Sequence, residues 1–142
     1  MEKLPRSKGC FVCGTPEENS RSLGVDIFWN SEEKKTEISI SPDSTWCGYE
    51  GVVHGGIIAS VFDDAMAWAV KQETGSWAVT GEMSVRYLRP VKAGAAYRVE
   101  GRVEKKSGRR ITASAVMMED GGRKAAEASA LFIGQGGKKQ SP

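Results

Sequence analysis

The chain has 142 residues, with 20 Lys and Arg against 18 Asp and Glu, and three cysteines. This length predicts one domain, and a net charge of +2 gives no reason to expect nucleic acid as a partner. The N-terminus lacks the apolar run of a signal peptide, and no stretch reaches the roughly 18 apolar residues that a membrane-spanning helix needs. An odd number of cysteines does not suit a secreted disulfide framework. Together these features favour a cytoplasmic protein that does not enter a membrane.

The first twenty residues are rich in Pro, Gly, Ser and charge, which predicts an N-terminal arm or loop over 1–20. They contain one CxxC motif, formed by Cys10 and Cys13. A structural zinc site needs four ligands, and only Cys47 and His54 remain to complete one. A thioredoxin-like site needs a strand before the motif, and none is expected here. We therefore predict a compact apolar turn that packs against the domain, without a metal.

Two alternating segments precede the central part of the chain. Apolar residues occupy every second position from Leu23 to Trp29, and residues 35–41 alternate in the same way until Pro42. Alternation with a period of two indicates half-buried strands, and proline stops the second. The loop that follows, 43–53, is unusually aromatic for a connection.

Residues 55–70 contain no charge except two adjacent carboxylates, Asp63 and Asp64. Apolar residues fall on every face, which is typical of a helix buried nearly all round. Gly75 is placed to end that helix. Burying an ionised carboxylate is costly unless it is hydrogen-bonded, so the pair belongs either to a structural hydrogen-bond network or to a chemical site.

Four strand-like segments follow, and glycine-containing turns separate the last three. This pattern predicts an antiparallel meander. We expect an α+β domain over 21–134, in which one long central helix is wrapped by a curved antiparallel sheet of five to six strands. The glycine- and lysine-rich tail, 135–142, is predicted to be disordered. The segments in chain order are 77–88, 96–105, 110–119 and 124–133.

A family resemblance rests on several of these residues together. His54-Gly55-Gly56 opens the buried helix, Asp63 follows the histidine by nine positions, and the next strand ends in Tyr-x-Arg-Pro at residues 87–90. With the strand order and the N-terminal CFVCG, these features resemble the hotdog-fold acyl-CoA thioesterases, most closely their PaaI-like branch. The resemblance covers residues 10–134 and implies a hotdog fold and hydrolysis of an acyl-CoA.

The resemblance also implies roles for the site residues. The Gly55 or Gly56 amide would polarise the thioester carbonyl, since both lie at the helix N-terminus, where amides are unsatisfied and the helix dipole is positive. His54 would shape the turn, or it is an ordinary helix cap. Asp63 would act as general base or as nucleophile, and Thr80 would orient the water, unless it is an ordinary strand residue.

One position departs from the family pattern. Many relatives have an asparagine six residues before the histidine, where this chain has Gly48. That asparagine helps to hold the thioester or the water. Its replacement leaves open a non-catalytic dimer that binds or senses acyl-CoA. A hotdog dehydratase is a further alternative, although it needs a histidine facing a carboxylate, and the only histidine here lies in the glycine turn.

Helix geometry predicts that the site is shared between subunits. Gly56 and Asp63 are seven residues apart, which places them roughly 10 Å apart along the helix. A donor and a base that act on one carbon must each lie within about 3 Å of their targets. If both residues are catalytic, they come from different chains. We therefore expect a homo-oligomer, either a dimer or a dimer of dimers.

Substrate contacts are expected from residues around the helix and its following strand. No P-loop or Rossmann pattern is present, so no nucleotide cofactor is predicted. The bulk of the aromatic residues suggests an aromatic or medium-length acyl group. The predicted substrate-binding residues are Asp64, Glu82, Tyr49, Phe62, Met83 and Arg86. Candidates for the phosphates of coenzyme A are Arg86, Arg89, Lys92, Arg109, Arg110, Arg123 and Lys124.

Overall fold

A computed structural model describes residues 1–135, and in this range one long helix packs against an antiparallel sheet. The helix contacts the five longest strands. This confirms the predicted arrangement, with seven strands in place of five to six. The predicted disordered tail lies outside the described residues, apart from residue 135. The elements are β1 (Glu2–Lys3), β2 (Phe28–Asn30), β3 (Lys35–Ile40), α1 (Gly55–Thr74), β4 (Ala78–Tyr87), β5 (Tyr97–Ser107), β6 (Arg110–Glu119) and β7 (Lys124–Gly134).

The ends of α1 lie where the sequence predicts them. His54 is the N-cap, with extended backbone, and its ring accepts a hydrogen bond from the Gly56 amide. Gly75 ends the helix in the left-handed conformation, with φ of 79°, and its amide donates to the Lys71 carbonyl at 2.8 Å. Glycine adopts this conformation without the steric penalty that other residues meet.

One side of α1 is less buried than the sequence predicts. Eight of its residues, from Ile58 to Val70, are buried in the core. Ser60, Asp63 and Ala67 follow one another by three or four positions, so they share one side of the helix, and all three are partly exposed. The sequence predicts a helix that is buried nearly all round, and in the single chain that prediction is wrong for the side that carries these three residues.

The strand order of the sheet is β1-β2-β3-β5-β6-β7-β4. The β5–β6–β7 meander is confirmed, but β4 pairs with β7 at the far edge of the sheet. The prediction that all four strands form one meander is therefore wrong. A hairpin needs a short turn, and the connection from Leu88 to Ala96 contains Pro90 and is too long for one.

The N-terminal segment adds the seventh strand. β1 pairs with β2, and the Leu4 amide donates to the Ile27 carbonyl at 2.8 Å. The strand predicted from Leu23 is short, because the amides of Leu23 and Val25 bond instead to carbonyls of the Cys10–Gly14 turn. These contacts attach the arm to the body of the domain.

The core lies between α1 and the sheet, and at one point the two come unusually close. A Cβ atom at Gly101 of β5 would lie 2.7 Å from the Ala65 carbonyl oxygen of α1. The buried Thr36 hydroxyl donates to the same oxygen at 2.7 Å. Among the described residues, no helix is long and apolar enough to span a membrane.

Candidate active site

A cavity of about 790 Å³ lies at the N-terminus of α1. It is formed where the aromatic loop before the helix meets the end of β4 and the segment that follows. Most of its lining is apolar, which suits the acyl part of a ligand better than a highly charged one. The lining residues are Gly48, Tyr49, Val52, Val53, His54, Gly55, Ile58, Tyr87, Leu88, Arg89, Pro90 and Val91.

His54 engages one of the two glycine amides at the start of α1. Its Nδ1 accepts a hydrogen bond from the Gly56 amide at 2.8 Å. In the neutral ring, an accepting Nδ1 places the proton on Nε2. The sequence predicts that either the Gly55 or the Gly56 amide donates to the thioester carbonyl. The Gly56 amide already donates to His54. No acceptor within residues 1–135 bonds to the Gly55 amide.

Tyr87 covers the other side of Gly55. Its hydroxyl donates to the Gly55 carbonyl oxygen at 2.7 Å. A Cβ atom at Gly55 would lie 3.3 Å from the tyrosine ring, so glycine permits this close contact. Burial raises the pKa of the Tyr87 hydroxyl above its ordinary value. Tyr87 begins the Tyr-x-Arg-Pro motif, but it is not among the site residues predicted from the sequence.

Gly48 lies against the imidazole ring of His54. A Cβ atom at Gly48 would lie 3.2 Å from Cδ2 of the ring, tighter than ordinary van der Waals contact. An asparagine at this position would therefore require the ring to shift. The neighbouring Tyr49 also lines the cavity, with 84% of its surface exposed.

Asp63 and Thr80 form a hydrogen-bonded pair between α1 and β4. The Thr80 hydroxyl donates to Asp63 Oδ1 at 2.6 Å. Asp63 lies on the partly exposed side of the helix and does not line the cavity. Two residues that the sequence predicts to cooperate are therefore in contact, but they are separate from the Gly55 amide of their own chain.

A β-bulge separates Thr80 from Glu82. Thr80 pairs with Phe132, whereas Glu82 pairs with the adjacent Leu131, so the register shifts at Gly81. Phe132 and Leu131 are consecutive, so their side chains point to opposite faces of the sheet. Residues that pair across two strands point to the same face, and Thr80 and Glu82 therefore point to opposite faces. Glu82, which the sequence predicts to bind substrate, therefore points away from the side of the sheet that carries Thr80, because the bulge re-aims one of the two side chains.

Asp64 contacts the N-terminal arm, on a different side of the helix. Cys10 Sγ donates to Asp64 Oδ1 at 3.6 Å, and Cys13 lies in the same cluster. Burial, followed by the charge of Cys10, raises the pKa of Asp64 to about 7. A hydrogen bond from the Cys13 thiol, together with backbone amides, lowers the pKa of Cys10 to about 5, and the same contact raises that of Cys13. The sequence did not predict this cluster.

The other predicted substrate contacts are dispersed. Phe62 is fully buried in the core and Met83 is partly buried against it, so neither lines the cavity. Arg86 is exposed and lies 4.0 Å from the Glu127 carboxylate. Of the basic candidates for binding phosphate, Arg89 lines the cavity.

Comparisons with known proteins identify the family to which this fold and site correspond. The model of the thioesterase superfamily matches residues 50–126, more than half of the chain. The chain is also similar to the acyl-coenzyme A thioesterase THEM4 of Xenopus laevis, with 29% identity over 108 residues. That match covers 75% of the chain and 48% of THEM4, so the chain spans about half the length of this relative.

Two solved structures show the same fold. A phenylacetic acid degradation-related protein of Ralstonia eutropha JMP134 has a TM-score of 0.68 and 25% identity, over 78% of this chain and 85% of that one. The PaaI protein of E. coli has a TM-score of 0.70 and 19% identity, over 80% and 86% of the two chains. The predicted hotdog fold and PaaI-like resemblance are confirmed.

Proposed function

The chain belongs to the thioesterase superfamily, and we propose that it is an acyl-CoA thioesterase that hydrolyses a thioester to a free acid and coenzyme A. The name of THEM4, an acyl-coenzyme A thioesterase, supports this substrate class. The observation that carries the proposal is the open Gly55 amide, which lies at a helix N-terminus and lines a largely apolar cavity.

Gly55 supplies the donor for the developing oxyanion. As the thioester carbonyl is attacked, negative charge builds on its oxygen, and a fixed amide at the positive end of a helix stabilises that charge. The hydrogen bond from Gly56 holds the His54 ring, and Tyr87 holds the Gly55 carbonyl. Both contacts hold the peptide group between Gly55 and Gly56, which directly follows the Gly55 amide.

Asp63 supplies the attack on the carbonyl carbon. As a general base it removes a proton from the attacking water, the C–S bond breaks, and the thiolate of coenzyme A leaves and is protonated. As a nucleophile it attacks the carbonyl carbon, the C–S bond breaks, the thiolate of coenzyme A leaves and is protonated, and water hydrolyses the resulting anhydride. In either case the Thr80 hydroxyl orients the carboxylate through the 2.6 Å hydrogen bond.

The free edge of β4 supports a site shared by two chains. This strand ends the sheet, and Val79, Tyr87 and Leu88 beside the edge are about half exposed. An unpaired edge with apolar side chains is a surface on which a second strand can pair. We therefore expect β4 to pair antiparallel with β4 of a second copy.

Two-fold symmetry makes the contacts between two such strands reciprocal. In such a pair, if residue i faces residue j, then j also faces i. We expect the register that places Thr80 opposite the partner's Tyr87. Asp63 is hydrogen-bonded to Thr80, and Gly55 is hydrogen-bonded to Tyr87. This register therefore brings Asp63 of one chain towards Gly55 of the other. The side chains of Thr80 and Tyr87 both lie on the helix side of the sheet, since the residues with which they pair on β7, Phe132 and Ala126, are buried.

The residues that line the cavity suggest where the coenzyme A part and the acyl part of the substrate bind. Arg89 is the cation placed to meet a phosphate of coenzyme A. Tyr49 and Leu88 offer exposed apolar surface at the same cavity. These residues support an aromatic or medium-length acyl group.

A mixed dimer tests the shared site. Gly55→Pro removes the amide hydrogen, and proline suits this first helical position because the preceding backbone, with ψ of 132°, is extended. Asp63→Asn removes the base in the other half of the site. We expect each variant alone to be inactive on a panel of acyl-CoAs, measured by thiol release. Co-expression should restore about a quarter of wild-type activity, since half of the dimers carry one intact site of two.

Gly55→Ala is the matched control, because it adds a Cβ atom and keeps the amide hydrogen. It should be clearly more active than Gly55→Pro, since both variants bring a Cβ atom against the Tyr87 ring and only the proline removes the amide hydrogen. Isolated heterodimers without activity would contradict the shared site, whereas full activity of Asp63→Asn would contradict the assigned base. A wild-type protein that binds acyl-CoAs tightly and releases no thiol would instead support the non-catalytic alternative.

A further inference from the structure

Three side chains that commonly bind metals meet between the N-terminal arm and the middle of α1. One ligand atom each from Cys10, Cys13 and Asp64 lies within 4.8 Å of the other two. The cluster lies apart from the cavity at the helix N-terminus, and the proposed reaction does not use it. Four-fold coordination of zinc can be completed by water when three protein ligands are present.

The distances within the cluster suit a tetrahedral ion. With a zinc–sulfur bond of 2.3 Å and a zinc–oxygen bond of 2.0–2.2 Å, two ligands at the tetrahedral angle lie about 3.5 Å apart. The distance between Cys10 Sγ and Asp64 Oδ1 is 3.6 Å. These two atoms would therefore need little movement to bind one ion, and the ligand atom of Cys13 lies within 4.8 Å of both.

The turn that carries the two cysteines also fits a metal-binding role. The amides of Val12 and Cys13 donate to Cys10 Sγ, at 3.3 and 3.4 Å. Such hydrogen bonds stabilise negative charge on sulfur. Gly14 closes the turn by donating to the Cys10 carbonyl at 2.9 Å, where a Cβ atom would lie only 2.4 Å from that oxygen.

Asp64 is left with an unexplained oxygen. Its Oδ2 is buried and, within residues 1–135, has no hydrogen-bond partner. The guanidinium group of Arg6 contacts the Cys13 carbonyl but pairs with Asp26, and within residues 1–135 no ion pair with Asp64 is formed. A carboxylate next to two cysteines, with one buried and unpaired oxygen, is costly unless a cation joins them.

We propose that Cys10, Cys13 and Asp64 bind one zinc-class divalent cation, with water as the fourth ligand. Two thiolates and one carboxylate form a donor set that zinc accepts, whereas magnesium and calcium require oxygen ligands. Both thiols lose their protons when the ion binds. The sequence predicts no metal because Cys47 and His54 do not complete a zinc site with the CxxC pair, and the carboxylate that joins the pair lies 54 residues after Cys10.

The ion would join the arm to the helix. Cys10 and Asp64 are 54 residues apart in sequence, so their shared ligation closes a long loop. The site is structural, and it does not depend on the proposed thioesterase activity. Asp64 is adjacent to Asp63, so the ion would also hold the part of the helix that carries the proposed base.

Cobalt titration of the reduced full-length protein tests the site. Co²⁺ bound by thiolates gives an intense near-ultraviolet charge-transfer band. We expect one equivalent of Co²⁺ per chain to produce this band and one equivalent of Zn²⁺ to abolish it. Cys10→Ser and Cys13→Ser should each weaken Zn²⁺ binding by more than about 100-fold, the upper end of what loss of an outer-shell partner costs. Zn²⁺ affinity is measured by competition with a chromophoric chelator.

Cys47→Ser is the matched control, since Cys47 is a free thiol outside the cluster, and it should leave both the band and the Zn²⁺ affinity unchanged. Asp64→Asn preserves the side-chain shape and should weaken Zn²⁺ binding at least about tenfold, with circular dichroism showing that the variant is folded. Absence of the band, its loss in Cys47→Ser, or unchanged Zn²⁺ affinity in folded Asp64→Asn would each overturn the proposal.

Discussion

The two adjacent carboxylates of α1 face different surroundings. Asp63 points towards β4, is partly exposed, and accepts a hydrogen bond from the Thr80 hydroxyl at 2.6 Å. Asp64 points towards the arm, contacts Cys10 at 3.6 Å, and keeps one buried oxygen without a partner among the described residues. Consecutive residues of a helix are separated by about 100°, so two identical side chains meet different elements.

This difference separates an open side from a closed side of the helix. On the β4 side, the acid is hydrogen-bonded to the strand that ends the sheet, and the proposed shared site places it next to a second chain. On the arm side, burial raises the pKa of Asp64 to about 7 and shields it from substrate. Chemical role therefore follows from what packs against each carboxylate, and the following changes test that separation.

The largest effect is expected from the open side. Asp63→Asn should lower kcat on an acyl-CoA by about 10²–10⁴-fold, the range for loss of a general base. Steady-state thiol release measures this change. Asp120→Asn, in the exposed turn between β6 and β7, is the matched control and should retain wild-type kcat. A loss below tenfold in Asp63→Asn would contradict the role of the open side.

The arm is expected to contribute mainly to stability. Leu4 is 5% exposed, and Leu4→Ala should lower the free energy of unfolding by about 2–3 kcal/mol through lost burial and a residual cavity. Urea denaturation measures the change, and kcat of the folded fraction should stay within a few-fold of wild type. The exposed Glu17→Ala serves as control. Wild-type stability of Leu4→Ala would mean that the arm does not contribute to the core.

Thr80 is expected to act through Asp63 as a positioning residue. Thr80→Val preserves the shape of the side chain and removes the hydroxyl, and it should lower kcat about tenfold, the worth of one hydrogen bond to a charged group. Thr80→Ser restores the donor and should recover most of the rate. Equal losses in the valine and serine variants would indicate a packing role instead.

The smallest effect is expected at Tyr87. Tyr87→Phe removes the hydroxyl that donates to the Gly55 carbonyl. The free energy of unfolding should fall by about 1 kcal/mol or less, since the tyrosine is half exposed and water can replace the donor. Thermal unfolding measures the change. A loss of several kcal/mol would mean that this contact holds the end of β4 on the helix.

The features that could be predicted from sequence depend on neighbours along the chain. The caps of α1 at His54 and Gly75 follow from the preferences of a few consecutive residues, and the turns between β5, β6 and β7 follow from local glycine signals. Alternation showed where most strands lie. Asp63 and Thr80 could be paired only through the family resemblance, because periodicity does not indicate which strand packs on which helix face.

The sequence by itself therefore determined the helix, the three-strand meander and the family resemblance, since each depends on local hydrogen bonding, periodicity or a short motif. Only the tertiary structure decided that β4 pairs with β7, that a bulge at Gly81 turns Glu82 away from Thr80, and that Cys10 reaches Asp64. These outcomes depend on contacts between distant segments. The periodicity of apolar residues in the sequence does not reveal a shift of one residue in register or a bond between residues 54 positions apart.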